Sequence, residues 1–168
     1  TGYGETKISP GDKIKAQVEV AKQKAEEAEL YIMDIESKKV EWRAVVFPGV
    51  QGYTDMCPGP DGLVYGFADR RRFFVFDPAQ RKVVHQEDVE DAFGHTVSHQ
   101  GPRVFVTGPE DEIYVLFVKG IAKIDQKTHR IRMLAESPLR IAGGGDYLDG
   151  RVYFFSGAHL YSYEVPRS

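Results

Sequence analysis

Along most of the chain, apolar and polar residues alternate in short runs bounded by turn residues, a pattern that predicts strands. Four runs share one design and end on an acid: Leu30-Tyr-Ile-Met-Asp34, Phe74-Val-Phe-Asp77, Ala122-Lys-Ile-Asp125 and Leu160-Tyr-Ser-Tyr-Glu164. After the first three, a polar turn follows, and a β-branched residue restarts the chain at Val40, Val83 or Ile131. The acids lie 43, 48 and 39 residues apart, which is the spacing of four-stranded propeller blades. An Asp at the end of a strand accepts hydrogen bonds from backbone N–H groups a few residues on, so these acids predict tight hairpins and not catalysis.

A second unit precedes the first in each repeat. Pro60-Asp-Gly-Leu-Val-Tyr65, Pro109-Glu-Asp-Glu-Ile-Tyr114 and Leu148-Asp-Gly-Arg-Val-Tyr153 place a turn before an apolar strand, with a tyrosine in one register. Each blade then reads as an inner strand a, a turn, strand b, a loop, strand c, an acid turn and an outer strand d. Residues 54–90 form one complete blade and residues 102–137 another. Residues 139–165 form the last blade, with strand a near Arg140–Gly143, strand b at Arg151–Phe155, strand c at His159–Val165 and no strand d. Residues 30–47 supply strands c and d of the first blade, and residues 1–4 match the end of its strand b.

Between those two pieces, residues 5–29 change period. Ser9-Pro10-Gly-Asp12 is a helix start, and Ile14, Val18, Ala21, Ala25 and Ala28 follow along one helical face. The fold class is therefore all-β: a β-propeller of four-stranded antiparallel blades with one α-helix inserted near the N-terminus. With about three to three and a half blades, the chain reads as the C-terminal part of a roughly six- to eight-bladed ring. The expected partners are the remaining blades of the same protein or a second copy of the chain.

Composition narrows the classes further. The formal net charge of -3 mixes both signs, so no broad basic field awaits nucleic acid. No apolar run approaches about 18 residues, so no membrane-spanning helix is predicted. The single cysteine, Cys57, excludes an internal disulfide and a Cys-rich zinc site, and it assigns no compartment.

Pro60-Asp-Gly-Leu-Val-Tyr65 followed by Phe74-Val-Phe-Asp77-Pro78, and Ile113-Tyr-Val followed by Gly120-Ile-Ala-Lys-Ile-Asp125, resemble the NHL, YVTN and SMP-30/gluconolactonase-like propellers. The resemblance covers nearly everything after Leu30 and implies the blade. Within that superfamily some members are calcium-dependent lactonases, some are lyases, and many bind proteins or glycans, so the fold alone selects no activity.

Two segments carry candidate chemistry. His95-Thr-Val-Ser-His99 lies in the connection from strand d of one blade to strand a of the next. Two imidazoles four apart can share a divalent metal where the chain is helical or tightly turned, with Glu87, Asp88, Glu90 or Asp91 as carboxylate partners. The alternative is two ordinary polar residues in a solvated crossing. Gly143-Gly144-Gly145 could present backbone N–H groups to a ligand anion, or mark a bulge where inner strands crowd the axis. Arg70-Arg71-Arg72 reads as a solvated basic turn, with contact to a phosphate or an acidic partner as the alternative.

No residue is assigned a catalytic role, and no cofactor is required, a divalent metal being the one the residues suggest. The leading functional expectation is a non-catalytic scaffold that presents loops to a protein or carbohydrate partner. The alternative is a metal-assisted polysaccharide lyase or sugar-lactone hydrolase whose axial site is shared with other blades.

Overall fold

The computed structural model describes residues 27–98 and 104–166. Its strands form antiparallel sheets in simple chain order. Strands β1 (Leu30–Met33) and β2 (Val40–Ala44) pair as a two-stranded sheet, here blade 1. Blade 2 is four-stranded, with β3 (Tyr53–Pro58), β4 (Val64–Ala68), β5 (Arg72–Asp77) and β6 (Lys82–Asp88). A four-residue helix, α1 (Glu90–Phe93), leads into blade 3: β7 (Phe105–Thr107), β8 (Ile113–Phe117), β9 (Gly120–Asp125) and β10 (Arg130–Glu136). Blade 4 has three strands, β11 (Gly143–Leu148), β12 (Arg151–Ser156) and β13 (His159–Glu164). This is the all-β propeller architecture that the repeat predicts. The inserted helix at 5–26 and the strand end at 1–4 lie outside the described residues. Residues 27–29 are not helical, and the Ala28 N–H donates to the Val50 carbonyl at 2.8 Å.

The acid turns behave as the repeat requires. Asp34 Oδ1 accepts from the Ser37 N–H at 2.6 Å, Asp77 Oδ1 from Gln80 at 2.9 Å, and Asp125 Oδ1 from Lys127 and Thr128 at 2.9 and 3.2 Å. Hydrogen bonds to the carboxylate, from the Ser37 side chain and N–H at Asp34 and from the Thr128 and Lys127 N–H groups at Asp125, hold both acids below the usual aspartate range. Four positions after each acid, Lys38, Arg81 and His129 take left-handed φ values of 57, 55 and 58°. That shared kink lets the chain reverse and restart as an outer strand. In blade 4, Asp149 and Gly150 both have positive φ (49 and 79°) between paired Leu148 and Arg151, the two-residue hairpin that an Asp-Gly pair favours.

Burial follows from stacking the blades side by side. Every residue of β5 except Arg72 is buried, because its two faces meet two different neighbours. Phe74 and Phe76 join Leu30, Phe47 and Val50 on the blade 1 side, while Phe73, Val75, Tyr65 and Phe67 face blade 3. Gly66 is what admits Phe74, its cross-strand partner: a Cβ there would sit 2.4 Å from Phe74 Cζ. On the blade 4 side of blade 3, Tyr114 stacks on Tyr147 with ring centroids 5.9 Å apart.

One strand differs from the sequence expectation. The inner strand of blade 4 is Gly143–Leu148, not a segment near Arg140–Gly143. The glycine run therefore lies within the strand. Four residues of β11, from Gly143 to Asp146, face three of β12, from Phe155 to Tyr153, which is a β-bulge.

Candidate functional site

Antiparallel order puts the a–b and c–d turns at one end of the molecule, the turn end. The b–c loops and the d-to-a crossings share the other, the crossing end, where His95 and the start of the Gly143-Gly144-Gly145 run lie.

The crossing from blade 2 to blade 3 is stitched down residue by residue. Its first turn is α1, where Asp88 Oδ1 accepts the Glu90 N–H at 3.1 Å. His95 Nε2 lies 3.2 Å from Glu90 Oε1, and the His95 carbonyl accepts from Val118 at 3.0 Å. Thr96 is fully buried; its N–H donates to the Arg70 carbonyl, and its own carbonyl accepts from the Arg70 guanidinium. The Val97 N–H then donates to Leu116, so residues 95–97 run as an extra tie along blade 3.

Asp88, Glu90 and Glu87, three of the acids that the sequence offered as ligands, have protein partners. Arg71 pairs with Asp88 and, at 3.2 Å, with Glu90. Arg72 lies 5.6 Å from the centre of the Phe47 ring. Glu87 lies 3.6 Å from His85 and accepts the Ile131 N–H at 3.4 Å, away from His95. Of the four acids in the predicted carboxylate set, the structure brings Glu90 to His95. His99 lies outside the described residues, and among the described residues no three His, Cys, Asp or Glu side chains gather as a metal site.

The second candidate, Gly143-Gly144-Gly145, lies in the bulge of β11. Gly144 has φ +76°, and a Cβ on it would meet the Phe155 ring at 2.6 Å. Gly144 is thus required by both the bulge and the aromatic behind it.

Two features escaped the sequence reading. Asp55 sits at the crossing end of the inner strand β3, on the face shared with buried Cys57. Burial pushes its carboxyl up to about 6, partly offset by a hydrogen bond with Thr54 and the nearby positive charge of Arg70. No motif marks Asp55, since its surroundings come from distant segments. The second feature is at the turn end. A cleft of about 740 Å³ over β9 and β10 is lined by Glu110, Glu112, Lys123, Lys127, Arg130 and Arg132 among others. A neighbouring hollow of about 380 Å³ continues it past Tyr114 and Tyr147 to Glu164 and Val165 at the end of β13.

No family model matches the chain, and no curated protein does. Solved structures do. The chain is similar to the extracellular domain of BT4673 from B. thetaiotaomicron in two structures. In one, of a one component system, identity is 12% and the TM-score 0.60, covering 80% of this chain and 19% of that one. In the other, of a hybrid two component system, identity is 16% and the TM-score 0.55, covering 79% and 17%. The chain thus spans about a fifth of the length of these neighbours. The WD40 domain of SCAP from fission yeast overlaps 83% of this chain and 37% of its own length, at 12% identity and a TM-score of 0.43. At such identities the likeness to the two BT4673 structures speaks to the fold alone.

Proposed function

We propose that the chain is part of an NHL/YVTN/SMP-30-like propeller that acts without catalysis and presents its crossing-end loops to a protein or carbohydrate partner. The ring is completed by further blades of the same protein or by a second copy. The observation that carries the reading is the stitched crossing: Arg70, Arg71, Asp88, Glu90 and His95 spend their charges on one another and on backbone, fixing loop shape. A rigid loop platform costs little entropy when a partner docks, which is how propeller faces recognise ligands without chemistry of their own.

A second reading is favoured by one observation. Asp55 shares the crossing end with His95 and has a carboxyl pushed up to about 6, in the range where a group can both give and take a proton. In that reading Asp55, His95 and His99 belong to a metal-assisted lyase or lactone-hydrolysing site.

One experiment separates them. The chain is incubated with sugar lactones and uronate polysaccharides, with and without Ca²⁺, Mn²⁺ or Zn²⁺, and in parallel screened for binding on an immobilised oligosaccharide panel. The binding reading expects no turnover above buffer and metal content unchanged in His95→Ala/His99→Ala. Metal-dependent turnover that disappears in that variant or in Asp55→Asn would replace it with the enzymatic one.

A further inference from the structure

Blades 2 and 3 have four strands, and blade 4 has three. Among the described residues, the outer edge of β13 pairs with no strand, so its ladder groups are free to accept another chain. What lies beside that edge is unusual for a blade seam. Tyr163, near the end of β13, reaches the Leu134 carbonyl at 3.5 Å, so β13 covers the part of β10 nearer the crossing end. The rest of that face, at the turn end, is the cleft of about 740 Å³.

Its chemistry is asymmetric. Lys123 is already committed to Glu112 at 2.9 Å. Arg130 and Arg132 are exposed, and neither side chain forms an ion pair among the described residues. They are two apart on one strand and therefore share a face, with about 7 Å between successive same-face positions. That face is the one turned toward blade 4, because Arg132 pairs with Lys123, and Lys123 with Tyr114 of the seam. Two unspent guanidiniums at strand spacing match two carboxylates at strand spacing, and each can be met bidentately.

We infer that the open edge of β13 is completed by an extended segment carrying acidic residues at alternate positions, which adds as a fourth strand and sets its carboxylates against Arg130 and Arg132. Main-chain bonds to β13 supply the register, and the arginine pair supplies the selection. An apolar strand, the ordinary filler of a blade seam, would leave both arginines beside it without a partner. The inference concerns the turn end and stands independently of what the crossing-end loops bind.

The test uses the full chain and three short labelled peptides. In one Glu alternates with Val, in one Lys replaces Glu, and in one Pro replaces Val in the acidic peptide, removing the N–H groups a ladder needs. The acidic peptide is expected to bind, the other two to bind at least about tenfold more weakly, and hydrogen exchange along His159–Glu164 to slow on binding. Arg130→Glu/Arg132→Glu is expected to reverse the preference, so that the Lys peptide becomes the ligand; Arg130→Gln/Arg132→Gln should weaken both. Binding that ignores the reversal, equal binding of the Pro peptide, or no binding by the acidic peptide at millimolar concentration overturns the proposal. So does an oligogalacturonate that binds with the same arginine dependence while β13 exchange stays unchanged, which would mark a glycan site.

Discussion

The two seams around blade 3 are made from equivalent positions and come out differently. Between blades 2 and 3 the seam is mostly apolar or aromatic, broken by Asp55 on the inner strand and Glu87 on the outer one. Phe67 meets Phe105 and Phe117, Phe93 stacks on Phe117, and farther out Val75 is buried and His85 faces His129 with ring centroids 6.2 Å apart. Between blades 3 and 4 the inner half is alike, with Tyr114 on Tyr147. The outer half is charged, because Lys123 stands where Val75 stands and Arg132 where His85 does, each pair bonded across its strands. The difference teaches that blade identity and seam identity are separable. The turn acids and hairpins build a blade, and the residues two before the acid decide whether its outer face closes on a neighbour or waits for something charged.

The comparison would break most visibly at Phe67. It is fully buried and touches rings from both neighbouring strands of blade 3, so Phe67→Ala should cost about 3–5 kcal/mol in urea unfolding. Tyr147, half-buried at the other seam, should cost clearly less on truncation. Equal losses would mean that the two seams are equally closed. Next in size is Asp55, the polar intrusion into the first seam. Its folded value of about 6 lies above the unfolded 3.8, so the folded state holds the extra proton. Stability is then greatest below about pH 4 and is lost as pH rises through 6. Asp55→Asn should remove that slope and gain about 1–2 kcal/mol at pH 7 to 8, the figure reduced for partial exposure. A pH profile unchanged by the substitution would place Asp55 in water. Smaller again is Asp77→Ala, which removes the bonds to Gln80 and should cost about 1 kcal/mol through blade 2's turn while leaving both seams intact.

What was legible in the sequence is what local chemistry controls. Asp34, Asp77 and Asp125 announce their turns because the acceptor and the N–H groups it holds lie within three residues. Asp149-Gly150 announces a hairpin for the same reason. The left-handed kinks at Lys38 and Arg81 were not legible, since neither residue type prefers that conformation and the closing ladder imposes it; His129, a type enriched there, gives only a weak signal. The last inner strand was misplaced because glycines lack the side chains that mark a strand, and the bulge at Gly143–Asp146 breaks its alternation. The crossing-end candidates were read as a His pair with nearby acids. The structure sets Glu90 beside His95 and Arg70 on the carbonyl of Thr96, a partner 26 residues away that no spacing rule reaches. Asp55 and the arginine cleft depend wholly on which blade lies alongside, and that is tertiary information.

The smallest expected effect is the one that addresses the comparison directly. Lys123→Val gives the outer seam of blade 3 the residue that blade 2 carries. If residue identity alone closed a seam, this change would strengthen the contact with blade 4 and raise stability as burial of a valine does. Here it should not. Lys123 is partly exposed and its bond to Glu112 is worth at most about 0.5–1 kcal/mol, screened by salt, while the new methyl groups face a cleft that no described strand fills. The net change should be a loss of about 0.5 kcal/mol at low salt that shrinks toward zero at 1 M salt, measured by urea unfolding at both ionic strengths. The same variant in the presence of the alternating Glu peptide should bind it almost as well as the parent, because Arg130 and Arg132 remain. A stability gain independent of salt would show that the seam closes on blade 4 as it stands, and would remove the vacancy on which the acidic strand depends.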